Sequence, residues 1–214
     1  MKRAWTTVVL LICLLPLAAM AQKTGFDEGI DYKVIQPPVP TDAPAGQIEV
    51  LEMFWYGCPH CFSFEPHISE WKKNKPDDVY FRYFPGVLNP GWVLHARTFY
   101  AAEAMGVLDK LHGPLFQAMH VQGRRLFTED AILRFVEQQG VDREKFREAM
   151  RSMEVQLKLT RATRVAELYQ SSGVPSVIVN GRYLVAPGMS GDFDNMLRII
   201  DHLVEKERRA TAAR

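Results

Sequence analysis

The sequence predicts an α/β protein: a mixed central sheet flanked by helices, with a helical domain inserted into it. Three observations carry this expectation. An apolar strand, a helix opening at Pro59 and a second strand follow one another between residues 48 and 84. Residues 89–172 then show helical periodicity without a strand signal. Strand signals return on either side of Asn180-Gly181, and a last amphipathic helix follows.

The first residues read as an address. Met1-Lys2-Arg3 is a short positive segment, Val8 to Leu17 is apolar, and Ala19-Met20-Ala21 fits a small-x-small cleavage site. The apolar run is shorter than the roughly 20 residues a membrane-spanning helix needs. Residues 1–21 are therefore expected to be a cleaved signal peptide, which sends the mature chain to a periplasmic compartment. Cleavage removes Cys13 with the leader and leaves Cys58 and Cys61, in surroundings where disulfides persist. It also removes Lys2 and Arg3, so the balance goes from 26 − 25 = +1 to 24 − 25 = −1. So small a charge offers no electrostatic footing for nucleic acid. A hydrophobic fraction of 47% with 24% charged residues suits a globular protein with a buried core.

Residues 22–47 are irregular and proline-rich, with one short strand expected at Tyr32–Ile35. Ile48 to Trp55 is an apolar run of strand length bounded by Gly46 and Gly57. A helix is predicted over Pro59–Asn74, ended by Pro76-Asp77, and a strand over Val79–Phe84, ended by Pro85. This β-α-β unit implies parallel strands joined by a crossover helix. In the helical block, Trp92, Ala96, Phe99 and Tyr100 share a face, as do Ile132, Phe135 and Val136 behind a cap at Thr128 or Asp130. Phe146, Met150, Met153 and Leu157 step by four, three and four as one apolar stripe, and Ala162, Val165, Ala166 and Tyr169 repeat the pattern. Asn180-Gly181 between Ser176–Val179 and Tyr183–Val185 is a strong hairpin signal, because both turn residues need positive φ. Asp192–Glu207 is the final helix, with Lys206–Arg214 expected to fray. Without the helical block the order is β-α-β-β-α, that of thioredoxin. The expected domains are a thioredoxin-like one from 22–88 and 173–214 and an inserted helical one from 89–172.

The chemistry is expected in Cys58-Pro59-His60-Cys61. The run follows a strand and opens a helix, so Cys58 is the expected N-cap and Pro59 the first helical residue, where a missing N–H costs nothing. The Cys58 sulfur then faces unpaired N–H groups and the positive end of the helix dipole, which favour thiolate, and a cationic His60 would add to this. Thiolate is the reactive form, and stabilising it makes the disulfide a stronger oxidant. Cys61, one turn on, is the resolving thiol. The pair alone also admits half of a zinc site, a structural disulfide or a redox-dead binding module. No second cysteine pair or paired histidine spacing completes a metal site. A loop this short makes a structural disulfide worth only ~2 kcal/mol.

Phe54-Trp55-Tyr56-Gly57-Cys58-Pro59-His60-Cys61, followed by Phe64-Glu65, resembles the active-site segment of the DsbA family of the thioredoxin superfamily. Gly173-Val174-Pro175 resembles that family's cis-proline loop, and Val179 to Tyr183 with Pro187-Gly188-Met189 its terminal hairpin. Trp55-Tyr56-Gly57 falls in a span that varies within the family. The resemblance implies a dithiol oxidase that donates its Cys58–Cys61 disulfide to reduced, unfolded secreted proteins. It implies reoxidation by a membrane quinone-linked partner of the DsbB type, and no cofactor or metal. It makes Glu52 a proton relay for Cys61, with Arg82 as its partner and Glu65 nearby. It makes Pro175 cis, with Val174 pairing to an extended client. Phe62, Phe64, Met189 and the 187–189 loop are candidates for an apolar client groove. A reductase, an isomerase and a peptide-binding chaperone are the alternatives. Isomerases usually dimerise through an added N-terminal domain, for which the 58 − 22 = 36 residues before Cys58 leave too little chain, so a monomer is expected.

Overall fold

The computed structural model describes residues 25–212; the expected leader and Cys13 lie outside them. Strand β1 is Lys33–Val34, β2 Ile48–Phe54, β3 Val79–Pro85, β4 Ser176–Val179 and β5 Tyr183–Val185. They form one sheet in the order β1-β5-β4-β2-β3. The β2–β3 pair is parallel and the others antiparallel, so the sheet is mixed as predicted. Helix α1, Pro59–Asn74, makes the crossover from β2 to β3. Helices α2 (Val93–Ala104), α3 (Leu108–His120), α4 (Glu129–Gln138), α5 (Arg143–Arg151) and α6 (Met153–Leu168) lie between β3 and β4. The short α7, Pro187–Ser190, and the long α8, Phe193–Ala212, follow the hairpin. No helix among the described residues is long and apolar enough to cross a membrane.

The two faces of the sheet bury different partners because strand side chains alternate. Val50, Val177, Val179 and Val185 pack with Phe64 and Ile68 of α1 and with Met196, Ile200 and Leu203 of α8. Leu51, Met53, Ile178 and Leu184 face the other way and join the core of the helical insert through Phe99, Phe116, Phe135 and Phe146. The hairpin turns at Asn180 and Gly181 with φ of 50° and 63°, as its sequence demands. Thr128 caps α4 through the Ala131 N–H.

Three expectations needed correction. The stripe from Phe146 to Leu157 is not one helix. Ser152 ends α5 and caps α6, accepting from the Val155 N–H, and this break leaves Met153 and Leu157 exposed. The final helix does not fray at Lys206 but continues to Ala212, because Arg208 makes a two-pronged ion pair with Asp78 (2.7 and 2.8 Å) and Glu207 is buried against Asn180. Of the expected strand at 32–35, Lys33 and Val34 alone join the sheet, beside β5, while Tyr32 makes an isolated bridge to Glu28.

Candidate active site

Cys58 is the N-cap of α1 and Pro59 its first residue. The Cys61 N–H donates to the Cys58 Sγ at 3.4 Å. The Cys58 thiol, 8% exposed, lies 3.4 Å from the Val174 carbonyl oxygen, and Cys61 is fully buried. The Val174–Pro175 bond is cis. The fold therefore brings together the redox pair and the proline loop, which are more than a hundred residues apart in sequence.

The two thiols differ sharply in acidity. Cys58 is lowered from 9.0 to about 6. The largest cause is a hydrogen bond from the Cys61 side chain; burial opposes it, the Cys61 and His60 backbone N–H groups reinforce it, and the electrostatic effect of His60 comes last. Helix-end N–H groups thus outweigh the histidine. Cys61 is raised far above the usual thiol range, first by burial, then by Cys58 and by the Glu52 carboxylate. One sulfur is built to carry charge and the other to hold a proton.

Glu52 is 1% exposed in the middle of β2. Burial, then the charge of Glu65, pushes its carboxyl well above the ordinary carboxylate value, while Lys72 opposes the rise. Arg82 is not its partner. In the parallel register Arg82 lies opposite Leu51, one residue out of phase with Glu52, so it points to the other face of the sheet. There its Nε donates to Glu49 at 3.0 Å, and its guanidinium also pairs with Asp42 at 3.2 Å. Tyr83, opposite Glu52 in register, projects on the Glu52 face instead.

Glu65 is not a surface carboxylate, since its side chain is 17% exposed. Burial alone would raise it, but hydrogen bonds from His112, Ser69 and Tyr83 and the charge of His112 bring it below the ordinary value. The ring nitrogens of His112 bond Tyr56 Oη at 2.9 Å and Glu65 Oε2 at 3.4 Å. Two turns further along α3, His120 Nε2 donates to the Tyr56 carbonyl at 2.7 Å and its ring stacks on Phe62. Helix α3 of the insert thus holds both the hydroxyl and the backbone of Tyr56, two residues before Cys58. None of this was expected from the sequence. The available signal was His112, Phe116 and His120 spaced by four on one helix.

Beside the sulfur runs a groove of about 460 Å³ lined by His60, Val174, Pro175, Pro187 and Met189, among others. Residues 187–189, expected as a loop, belong instead to the short helix α7, and they line this groove, Met189 included. Phe64 does not: it is fully buried against Phe193, because it lies on the face of α1 turned toward the sheet and α8. Phe62 is half-buried over His120 on the other side of the site. Trp55 stacks on Trp92 with ring centres 4.6 Å apart, covering Gly57, where a Cβ would run into the indole.

The comparisons agree with this geometry. A family model described as a DSBA-like thioredoxin domain matches residues 49–200. The thiol:disulfide interchange protein DsbA of Pseudomonas aeruginosa is 37% identical over 206 residues, 94% of this chain and 97% of that one. The protein of the same name from Azotobacter vinelandii is 41% identical over 182 residues, 85% of each chain. Among solved structures, that of Pseudomonas aeruginosa DsbA superposes with a TM-score of 0.83 at 38% identity, covering 87% of this chain and 97% of that one. The oxidoreductase DsbA from Xylella fastidiosa gives a TM-score of 0.78 at 35% identity, covering 84% and 96%.

Proposed function

We propose that this chain, which belongs to the DSBA-like thioredoxin domain family, is a thiol:disulfide oxidoreductase that donates its Cys58–Cys61 disulfide to folding secreted proteins in the periplasm. The observation that carries the reading is the asymmetry of the two sulfurs: Cys58 accepts N–H groups at a helix start and is acidic, and Cys61 is buried and is not.

The steps follow from that asymmetry. A client thiolate attacks Cys58 Sγ in the oxidised protein. The client S–Cys58 S bond forms, the Cys58–Cys61 bond breaks, and the electron pair leaves on Cys61. A buried Cys61 thiolate is costly, so it takes a proton, and Glu52 is the group positioned to supply it, since burial and Glu65 favour its protonated form. A second client thiol, having lost its proton to solvent, attacks the client sulfur of the mixed disulfide. Cys58 leaves as a thiolate, and its low proton affinity makes it a good leaving group. When the client has no second thiol in reach, Cys61 attacks Cys58 instead and releases the client unchanged. Val174 and cis-Pro175 hold the client as an added strand beside the sulfur, and Met189 meets its apolar side chains. His60 and Pro59 shape the helix start. A membrane quinone-linked protein of the DsbB type restores the disulfide, and the chain works as a monomer without metal or organic cofactor.

The test is trapping. Cys61→Ala, exposed to reduced secreted proteins and a mild oxidant, should accumulate client proteins disulfide-bonded to Cys58, while Cys58→Ser should trap none and abolish turnover. A Cys58→Ser protein that still promotes client folding as well as the unaltered chain would overturn the reading in favour of a binding chaperone.

A further inference from the structure

The proline loop carries a pair of hydroxyls with no part in the thiol chemistry. Ser176, at the start of β4, is 1% exposed, and its Oγ donates to the Gly173 carbonyl at 2.8 Å. Ser171 Oγ lies 2.7 Å from the same carbonyl and 2.9 Å from Ser176 Oγ, and it also accepts from the Gly173 N–H at 3.3 Å. Both hydroxyls therefore converge on one backbone oxygen. That oxygen belongs to the peptide joining Gly173 to Val174, which is trans. In a planar trans peptide the C=O and the N–H point in opposite directions. Drawing the Gly173 oxygen toward the serines thus turns the Val174 N–H the other way. Among the described residues that N–H has no hydrogen-bond partner. The next carbonyl, that of Val174, borders the Cys58 sulfur.

We propose that Ser171 and Ser176, which also line the groove, form a two-hydroxyl clamp that positions the Val174 N–H to donate to a client's backbone carbonyl, so that the pair sets client affinity through the loop it holds. The inference rests on the strand-pairing reading given above. Removing both hydroxyls frees the Gly173 carbonyl to swing, and the Val174 N–H swings with it. The cost is the alignment of one main-chain hydrogen bond, about 1 kcal/mol. That corresponds to roughly a fivefold weaker KM, since 1.4 kcal/mol is tenfold.

The experiment compares the oxidised unaltered protein with Ser176→Ala, Ser171→Ala, the double variant and Ser176→Thr. Two reductants are used: a reduced cysteine-containing peptide long enough to lie along the loop, and dithiothreitol, which has no peptide backbone. The clamp predicts a KM for the peptide raised about fivefold in the double alanine variant and by less in either single one. It predicts a limiting rate, a Cys58 thiolate titration and a rate with dithiothreitol that stay within about twofold of the unaltered protein. Ser176→Thr keeps the hydroxyl and should restore most of the peptide KM. The double variant should cost more than the two single changes added together, because either hydroxyl alone still holds the carbonyl. An unchanged peptide KM in the double variant overturns the clamp, as does a threonine variant as impaired as the alanine one, which would mean a packing effect. If the unaltered protein shows no preference for the peptide over dithiothreitol, the strand-pairing reading itself fails, which is a different result from the loss of the clamp alone.

Discussion

Replacing Cys61 by alanine should raise the pKa of Cys58 more than replacing His60 does. The Cys61 side chain is the largest single cause of the low Cys58 value, and the electrostatic effect of His60 is the smallest of those resolved. A hydrogen bond to a charged group is worth about 1.5–3 kcal/mol, or roughly one to two pH units at 1.36 kcal/mol per unit. Cys61→Ala should therefore move Cys58 from about 6 to roughly 7–8, and His60→Ala should move it by less. The thiolate's ultraviolet absorbance against pH reads both. The same shift fixes how oxidising power depends on pH. The reduced state is favoured by the full difference, 9.0 − 6 = 3 units, only once an ordinary thiol would also be ionised. The benefit shrinks as pH falls and disappears below about 6. At pH 7 one of the three units is realised, at most about 1.4 kcal/mol or 30 mV. Reduction below the break takes up two protons and above it one. The potential of the unaltered protein should therefore fall by about 60 mV per unit below pH 6 and about 30 mV per unit above it. A straight line through pH 6, or a His60→Ala shift larger than that of Cys61→Ala, would refute the reasoning.

Other perturbations give equally definite outcomes. Glu52 has a folded-state pKa above its ordinary 4.5, so ionising it costs stability as pH rises past that value. Glu52→Gln should thus melt higher than the unaltered protein at pH 8, with the gain gone below about pH 4.5, and it should slow exchange at Cys61; equal melting at both ends of the range would contradict the buried-acid account. His112→Phe keeps an aromatic ring among Phe54, Tyr56 and Phe116 but strips Tyr56 and Glu65 of a partner. The expected loss is about 1–3 kcal/mol, or roughly 2–12 °C in Tm, and an unchanged Tm would mean that the bonds contribute nothing. Gly57→Ala should push the Trp55 ring off Trp92 at about 1–3 kcal/mol, visible as a changed near-ultraviolet circular dichroism; an unaltered spectrum would place the indole elsewhere.

What could be read in the sequence was local or tied to a motif. Proline at the first helical position after a strand marks Cys58 as the cap, and Asn180-Gly181 marks the hairpin, because each residue type has one favoured backbone use. Buried polar pairings were not legible. Glu52 and Glu49 both sit in an apolar strand, and only the register against β3 shows that Arg82 meets Glu49. The break at Ser152 was hidden because Met150, Met153 and Leu157 keep a helical step through it, whereas a serine that caps a following helix looks like any other polar residue. The role of His112 was hidden too, since a single sequence does not reveal that α3 docks against Tyr56 and Glu65. Phe64 illustrates the same limit: its distance from Cys58 along the chain says nothing of which side of α1 it occupies.

The most direct test of disulfide donation is the redox equilibrium of residues 22–214 with glutathione at pH 7, followed by Trp fluorescence. Trp55, three residues before Cys58, is placed to report the state of the pair. Disulfide donation resting on the acidic Cys58 requires a potential more positive than thioredoxin's roughly −270 mV, by about the 30 mV that the thiolate contributes at pH 7. A value near −270 mV, where thioredoxin lies, would show that the helix start and the buried Cys61 do not make an oxidant here, and would return the chain to the reductase or isomerase class.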